Sequence, residues 1–258
     1  TDQEISPVFF NKGTTRQRKN RLEQAGVVGG LQISSRKPSW MKVNLDLNPG
    51  YKATKTTMRE LELVTVCEEA GCPNIYECWG QGTATFMING ERCTRACGFC
   101  MVDTRLPMPI DIEEPLRIAE AVRRMDLKHV VITAVARDDL SDGGASGFVD
   151  TIKAIRKETS TTRIEILIPD FKGLKEPLVK VLEANPDILN HNLETVARLQ
   201  RAVRPSAGYG RSLTMLARAK RAGFTTKSGL IVGMGETDAE VDSALADLTL
   251  SLRHDDNE

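Results

Sequence analysis

The chain has 258 residues, of which 40% are hydrophobic and 27% charged, which is enough apolar material for one large domain or a barrel with extensions. Lys plus Arg and Asp plus Glu are equal at 35 each, which excludes a global field that would recruit nucleic acid or an anionic membrane. No apolar run approaches the ~20 residues of a membrane span, and residues 1–20 lack a signal-peptide core. We therefore expect a cytoplasmic protein, or a mitochondrial or plastid one if its source is eukaryotic.

Residues 1–62 are rich in Gly, Pro and basic side chains and are predicted to form an irregular N-terminal extension. Within this extension, the basic run Arg16–Arg21 is compatible with docking of an acidic carrier domain or with a solvated tail. We prefer the tail.

All six cysteines lie in a short stretch of the chain, in two groups of three. The groups are Cys67-x4-Cys72-x5-Cys78 and Cys93-x3-Cys97-x2-Cys100. A disulfide framework is typical of short secreted domains, which this chain does not resemble. A zinc site needs four ligands, so zinc would have to take two cysteines from each group, and this stays an alternative. Three thiolates on a four-iron cluster leave one iron open to bind substrate.

Short apolar strands alternate with amphipathic helices from residue 84 onward. The predicted strands are 84–88, 129–135, 164–168, 187–190 and 227–232. The predicted helices are 115–125, 148–157, 176–184, 193–201, 212–221 and 237–248, the last with a Thr237-x-x-Glu240 capping box. The alternation predicts an α/β fold with a parallel sheet, either open or curved into a barrel. The second cysteine group follows the first strand, at the sheet edge where ligands gather.

The second cysteine group, Cys93-Thr-Arg-Ala-Cys97-Gly-Phe-Cys100, has an aromatic residue directly before its last cysteine. It resembles the signature of the radical S-adenosylmethionine (SAM) superfamily. The resemblance implies that SAM chelates the open iron of a 4Fe–4S cluster and is cleaved to methionine and a 5′-deoxyadenosyl radical, while protein groups orient SAM. It also implies a partial (β/α)6 TIM-like barrel with its cavity at the carboxyl ends of the strands.

The first cysteine group lies in Thr65-Val-Cys-Glu-Glu-Ala-Gly-Cys-Pro-Asn-Ile-Tyr-Glu-Cys-Trp79, which resembles the motif of the lipoyl synthase family that holds an auxiliary 4Fe–4S cluster. Further similar segments are 135–144, 168–171, 191–195 and 227–237, and the resemblance covers roughly 37–248. It implies insertion of two sulfur atoms, at C6 and C8 of a protein-bound octanoyl-lysine, with the auxiliary cluster as sulfur donor and one SAM per sulfur. Unactivated C–H bonds of this kind require a radical.

The same resemblance implies the partners and the domain organisation. The carriers would be octanoylated lipoyl domains of the glycine cleavage H protein and of the acyltransferase subunits of 2-oxoacid dehydrogenases. The electron donor would be a flavodoxin or ferredoxin, and we expect a monomer that binds neither nucleic acid nor membrane. The predicted divisions are the N-terminal extension, 1–62; the auxiliary-cluster segment, 63–82; the partial barrel, 83–250; and a divergent tail, 251–258.

Candidate site residues follow from the motifs. The cluster ligands implied are Cys67, Cys72 and Cys78 for the auxiliary cluster and the catalytic residues Cys93, Cys97 and Cys100 for the SAM cluster. The predicted SAM contacts are Phe99, Thr133, Gly143, Gly144, Asn192, Glu194 and Arg204, with Arg211 and Ser212 as further candidates. The glycine pair is equally compatible with a simple turn, and Glu194 with an acidic residue at a helix N-terminus. His191 is interpreted as a core histidine.

The chain departs from the family at its C-terminal end. Lipoyl synthases carry an Arg-Ser-Ser-Tyr motif whose serine ligates the auxiliary cluster, and this sequence lacks it, so we expect a truncated C-terminus. Alternatives are another radical SAM sulfurtransferase, similar to biotin synthase or to the methylthiotransferases, and a zinc-binding interaction module.

Overall fold

The structure is a computed structural model that describes Glu23, Gly26, 48–69, Cys72, 74–81 and 83–253. The basic run Arg16–Arg21 and residues 254–258 of the predicted tail lie outside the described residues.

A five-stranded parallel sheet with strand order β1-β2-β3-β4-β5 forms the centre of the described part of the chain. The strands are β1 (Thr85–Ile88), β2 (His129–Ala134), β3 (Arg163–Leu167), β4 (Ile188–Asn190) and β5 (Thr225–Lys227). The predicted α/β class and the parallel sheet are confirmed, and the described residues contain five of the six expected strands. Because the pairing is parallel and consecutive, all carboxyl ends meet at one edge.

Helices connect the strands and cover one face of the sheet. They are α1 (Pro49–Glu60), α2 (Val66–Glu69), α3 (Ile75–Gly80), α4 (Glu114–Arg124), α5 (Ala145–Glu158), α6 (Lys175–Glu183), α7 (Gln200–Val203), α8 (Tyr209–Arg221) and α9 (Asp238–Ser251), with short 3-10 turns at Phe171–Gly173 and Ala197–Leu199. Alternate strand residues such as Phe86, Ile132 and Ile166 pack in one core with Phe148 of α5 and Met215 of α8. Burial of this apolar face is the main force that holds the helices on the sheet.

The face of the sheet opposite the helices, here called the inward face, carries several polar side chains. In register across the sheet, Thr133, Leu167, Asn190 and Lys227 form one row. The buried Glu165 lies one layer below this row, and its carboxylate binds the Lys227 ammonium at 2.8 Å. The inward face therefore differs in chemistry from the apolar side under the helices.

The segment before the sheet is more regular than the sequence composition predicts. Residues 49–60 form helix α1, capped by Asn48, whose Oδ1 accepts a hydrogen bond from the Tyr51 N–H at 2.9 Å. The fully buried Trp79 packs on Tyr51 with ring centroids 5.5 Å apart. The prediction of an irregular extension is therefore wrong for these residues, because apolar contacts with α3 stabilise a helix whose composition is largely polar.

Two predicted elements are also wrong. The helix predicted at 193–201 is interrupted at its start because Glu194 adopts a left-handed conformation, with φ of 68°, and only the 3-10 turn at Ala197–Leu199 and the short α7 form after it. The strand predicted at 227–232 ends at Lys227, and the pairing continues beyond it only as an isolated bridge between Glu194 and Leu230. The predicted capping box of Thr237 and Glu240 is confirmed at the start of α9.

The first turn of helix α5 packs closely on Asn89, which directly follows β1, and a substitution can test this contact. A Cβ at Gly147 would lie 2.1 Å from the Oδ1 of Asn89, a buried side chain whose Nδ2 donates to the Gly144 carbonyl at 3.0 Å. We expect Gly147→Ala to lower the free energy of unfolding by about 1–3 kcal/mol, because overpacking displaces Asn89. Chemical denaturation measures the change.

The matched control is Gly210→Ala, also in the first turn of a helix, where a Cβ would meet nothing within 4 Å. This variant should be neutral or more stable by up to about 1 kcal/mol, the helix-propensity gain. Equal effects at the two glycines would contradict the packing argument.

Candidate functional site

The loop that carries the second cysteine group lies at the carboxyl end of β1 and is held by backbone hydrogen bonds to three other segments. The Cys93 N–H donates to the Asp103 carbonyl at 2.8 Å, and the Thr94 N–H donates to the Ala136 carbonyl at 3.0 Å. The Gly98 N–H donates to the Val203 carbonyl, at the end of α7, at 2.6 Å. An irregular loop is thereby given a defined conformation by its neighbours.

The three cysteines of this loop form no disulfide, and their thiols interact electrostatically. The pKa of Cys97 is raised to about 11. Burial is the main cause, the neighbouring Cys100 and Cys93 thiols also raise the pKa, and the Arg204 guanidinium partly offsets the rise. The Cys93 Sγ also accepts hydrogen bonds from the backbone N–H groups of Arg95 and Ala136, at 3.4 and 3.3 Å. Three adjacent thiols without a fourth fit a cluster with one open iron.

A buried ion-pair network lies directly beneath the loop. Arg95 has a side chain only 4% exposed, and its guanidinium contacts Asp138 at 2.7 Å and Asp170 at 2.7 Å. Asp170, which is fully buried, also binds Arg211 of α8 at 3.1 Å. Burial would raise the pKa of Asp170, but the two guanidinium groups lower it below its ordinary value. Arg95, Asp138 and Asp170 are not among the site residues predicted from the sequence.

The first cysteine group lies on the short helices α2 and α3. Cys67 is buried in α2, Cys72 follows it, and Cys78 lies in α3. The pKa of the Cys78 thiol is raised first by burial and then by the nearby Cys67 and Cys72. These three thiols are therefore near enough to interact, as ligands of a single cluster must be.

The segment that leads into the first cysteine group lies beside the second group. Met87 of β1 packs with Val102 and Val135, and the residues packed against them are Val64, Val66, Cys93 and Cys100. Val66 directly precedes Cys67, and the Val64 carbonyl accepts a hydrogen bond from the Met87 N–H at 2.9 Å. The segment before α2 thus runs along the edge of β1, the strand that leads into the second cysteine loop, whereas Cys67 itself packs in the main core. Among the described residues, no three His, Cys, Asp or Glu side chains converge on a single metal ion.

Three of the predicted SAM contacts lie together beside the second cysteine group. Glu194 follows β4, and burial raises the pKa of its carboxyl while Arg204 lowers it. The buried Arg204 donates from Nη1 to the carbonyls of Asn192 and Leu193, both at 3.1 Å, and its Nε has no hydrogen-bond partner in the described part of the chain. Since the Arg204 charge also acts on Cys97, these groups border the cluster loop.

The remaining predicted contacts are more dispersed. Gly143 and Gly144 have φ of 62° and 88°, which favours glycine, and Gly144 contacts Asn89 at the end of β1. Phe99 packs on the apolar cluster that contains Leu193 and Val203. The Thr133 hydroxyl donates to the Leu167 carbonyl at 3.1 Å, a bond between neighbouring strands.

His191 is a core histidine, as interpreted from the sequence. Its Nδ1 lies 2.8 Å from the Ile168 carbonyl and its Nε2 lies 2.9 Å from the hydroxyl of the fully buried Ser212. Ser212 and Arg211, both candidate SAM contacts, are thus engaged with His191 and Asp170 respectively. Their observed partners belong to the protein core.

None of the helices in the described residues has the length and apolarity to cross a membrane.

Comparison with known proteins agrees with this arrangement. A model of the radical SAM superfamily matches residues 87–248, and a model of the N-terminal domain of lipoyl synthase matches residues 9–72. Two solved structures share the fold at low identity. Methylornithine synthase has a TM-score of 0.52 at 16% identity, covering 81% of this chain and 59% of that one. The hydrogenase maturase HydG has a TM-score of 0.51 at 17% identity, covering 93% and 52%. The chain is therefore a member of the radical SAM superfamily.

Curated relatives specify the family. The lipoyl synthase of Rubrobacter xylanophilus is 54% identical over 82% of this chain and 67% of its own length. The lipoyl synthase of a Geobacillus species is 55% identical over 83% and 72%, and that of Mycobacterium ulcerans is 50% identical over 95% and 75%. The chain belongs to the lipoyl synthase family.

The buried His191 gives the protein a defined pH dependence. Burial lowers its pKa to about 4 from the ordinary value of 6.5, so the unfolded chain binds a proton between these values that the folded chain does not. Stability is therefore complete above pH 6.5 and is lost as the pH falls toward 4. We expect a loss of about 2 kcal/mol from this residue between pH 7 and pH 5.

Urea unfolding of the iron-free chain at both pH values measures this loss, and a His191→Gln variant should show a correspondingly smaller change. The same change in both proteins would contradict the assignment.

Proposed function

We propose that the chain inserts two sulfur atoms into a protein-bound octanoyl-lysine, at C6 and C8, to form the lipoyl group. The observation that carries this proposal is a second cysteine triad on a segment that pairs with β1, the strand that leads into the first triad's loop, within a chain that belongs to the lipoyl synthase family. A single triad would support SAM cleavage alone. A second triad on this neighbouring segment supports delivery of sulfur where the radical forms.

Cys93, Cys97 and Cys100 would hold the SAM cluster, and Cys67, Cys72 and Cys78 the auxiliary cluster. Both triads fit, because in each the thiols interact and a fourth cysteine is missing. When bound, the clusters supply the electron that cleaves SAM and the sulfur that is transferred. The protein's own contribution is to fix the cysteine loop and to exclude water from it.

The residues around Arg204 are proposed to orient SAM. The unpartnered Nε of a buried guanidinium lacks an acceptor, and a carboxylate such as that of SAM would satisfy it with a charge-assisted hydrogen bond. Asn192 and Glu194 offer an amide and a carboxyl to the ribose or the methionine part. The left-handed Gly143 and Gly144 allow close approach of the backbone to the SAM amino group.

The partners belong to the same proposal. Octanoylated carrier domains would supply the substrate, and a flavodoxin or ferredoxin the electrons. The proposed location is the cytoplasm, or a mitochondrion or plastid in a eukaryote. Monomeric action is expected.

Two cysteine variants separate the roles of the triads. After anaerobic reconstitution, about eight irons per chain are expected. Cys97→Ser should abolish formation of 5′-deoxyadenosine and of the sulfurated product. Cys72→Ser should retain SAM cleavage but form no sulfurated product, because the sulfur source is lost. Mass spectrometry of an octanoyl-lysyl carrier measures both products.

Zinc in place of iron would overturn the assignment to the radical SAM mechanism. Eight irons with 5′-deoxyadenosine but no sulfur gain on the carrier would overturn sulfur insertion in particular.

Arg204 can be tested through SAM affinity. We expect Arg204→Lys to raise the KM for SAM by about 10- to 100-fold, because a hydrogen bond to a charged group contributes roughly 1.5–3 kcal/mol. The iron content should not change. The matched control is Arg198→Lys, in the 3-10 turn before α7, where Arg198 binds Glu240 on the protein surface. An unchanged KM for SAM in the Arg204 variant would exclude this role.

A further inference from the structure

Arg95 occupies an unusual position within the cysteine loop. It lies between Cys93 and Cys97, yet its side chain is buried beneath the loop and surrounded by carboxylates. Its Nε and Nη2 donate to both oxygens of Asp138, at 2.7 and 2.8 Å, and Nη2 also contacts Asp170. Only the planar guanidinium offers two parallel donors in this fork, so lysine cannot reproduce it.

The partners of Arg95 come from the loops that follow two different strands. Asp138 follows β2 in the segment that leads to Gly143 and Gly144, and Asp170 follows β3. The Thr94 hydroxyl donates to the Ala136 carbonyl at 2.8 Å and accepts from the Asp138 N–H at 3.0 Å. The cysteine loop and the loop after β2 are thus joined by the two hydrogen bonds from Arg95 to Asp138 and by the hydrogen bonds of the neighbouring Thr94.

The charges within this group balance. Arg95 and Arg211 carry two positive charges, and Asp138 and Asp170 carry two negative charges. Arg95 and Asp170 are withdrawn from water, whereas Asp138 and Arg211 are partly exposed. Removal of a partner would therefore leave the charge of Arg95 or Asp170 buried and poorly solvated. The arrangement therefore has one strongly preferred geometry.

We propose that Arg95 is a positioning residue that holds the cysteine loop in fixed relation to the loop after β2, so that the open iron faces the SAM-binding glycines. This inference rests on the proposed cluster at Cys93, Cys97 and Cys100. Arg95 touches neither SAM nor substrate in this role. It acts through the conformation of the loop that presents the thiolates.

The test compares three reconstituted variants of the full chain. Arg95→Lys keeps the charge but removes the fork. Asp138→Asn removes one carboxylate charge while Asp170 still binds Arg95. Arg156→Lys is the matched control, since Arg156 binds Asp187 at 2.6 Å in a similar ion pair, at the opposite edge of the sheet.

Two measurements report on the loop independently of sulfur insertion. Loss of iron to a chelator should be about 10–100-fold faster in the Arg95 and Asp138 variants, as is typical when a residue that supports metal ligands is replaced. The change that SAM induces in the electron paramagnetic resonance spectrum of the reduced cluster should be weakened or lost. The Arg156 variant should behave as the wild type in both.

Iron retention and a SAM response equal to those of the Arg156 variant would overturn the inference while leaving the cluster assignment intact. If Arg95→Lys does not fold, the Asp138 variant decides the matter by the same two measurements. A wild-type chain that binds no iron would overturn the cluster and the inference together.

Discussion

The carboxylates of Asp138 and Asp170 enclose the guanidinium of Arg95 under the cysteine loop, where the ends of β2 and β3 meet. A loop of eight residues with three cysteines has no regular hydrogen-bonding pattern of its own. Its conformation depends on contacts with segments that come later in the chain. The buried ion pairs, together with the bonds from Thr94 and Gly98, supply those contacts.

The parallel sheet makes this convergence possible. Each strand carries its following loop to the same edge, so residues about 40 to 110 positions apart become neighbours of the cysteines. The segment before α2 adds the second triad by a different route, since it runs along the free edge of β1. Val64 and Val66 of this segment therefore share the apolar surroundings of Met87 with Cys93 and Cys100, which helps to keep water from the second cysteine group.

Burial has opposite consequences for different groups in this region. It raises the pKa of the Cys97 thiol, so this thiol keeps its proton at neutral pH. Iron binding must then displace that proton. It lowers the pKa of His191, which stays neutral and bonds to Ile168 and Ser212 within the core. Asp170 stays ionised despite burial because two guanidinium groups neutralise it. The site thus combines a thiol of raised pKa with a charged and internally balanced support.

Local spacing in the sequence was sufficient for the cysteine groups, four of the five strands, the parallel α/β class and the capping box of Thr237. These features depend on residues a few positions apart, whose periodicity or ligand spacing is visible directly. Tertiary structure alone decided the left-handed turn at Glu194, the burial of Arg95 between two aspartates and the pairing of the first cysteine segment with β1. An arginine in a loop has no local mark that separates a solvated side chain from a buried one. The difference arises only when distant strands bring carboxylates to it and exclude water.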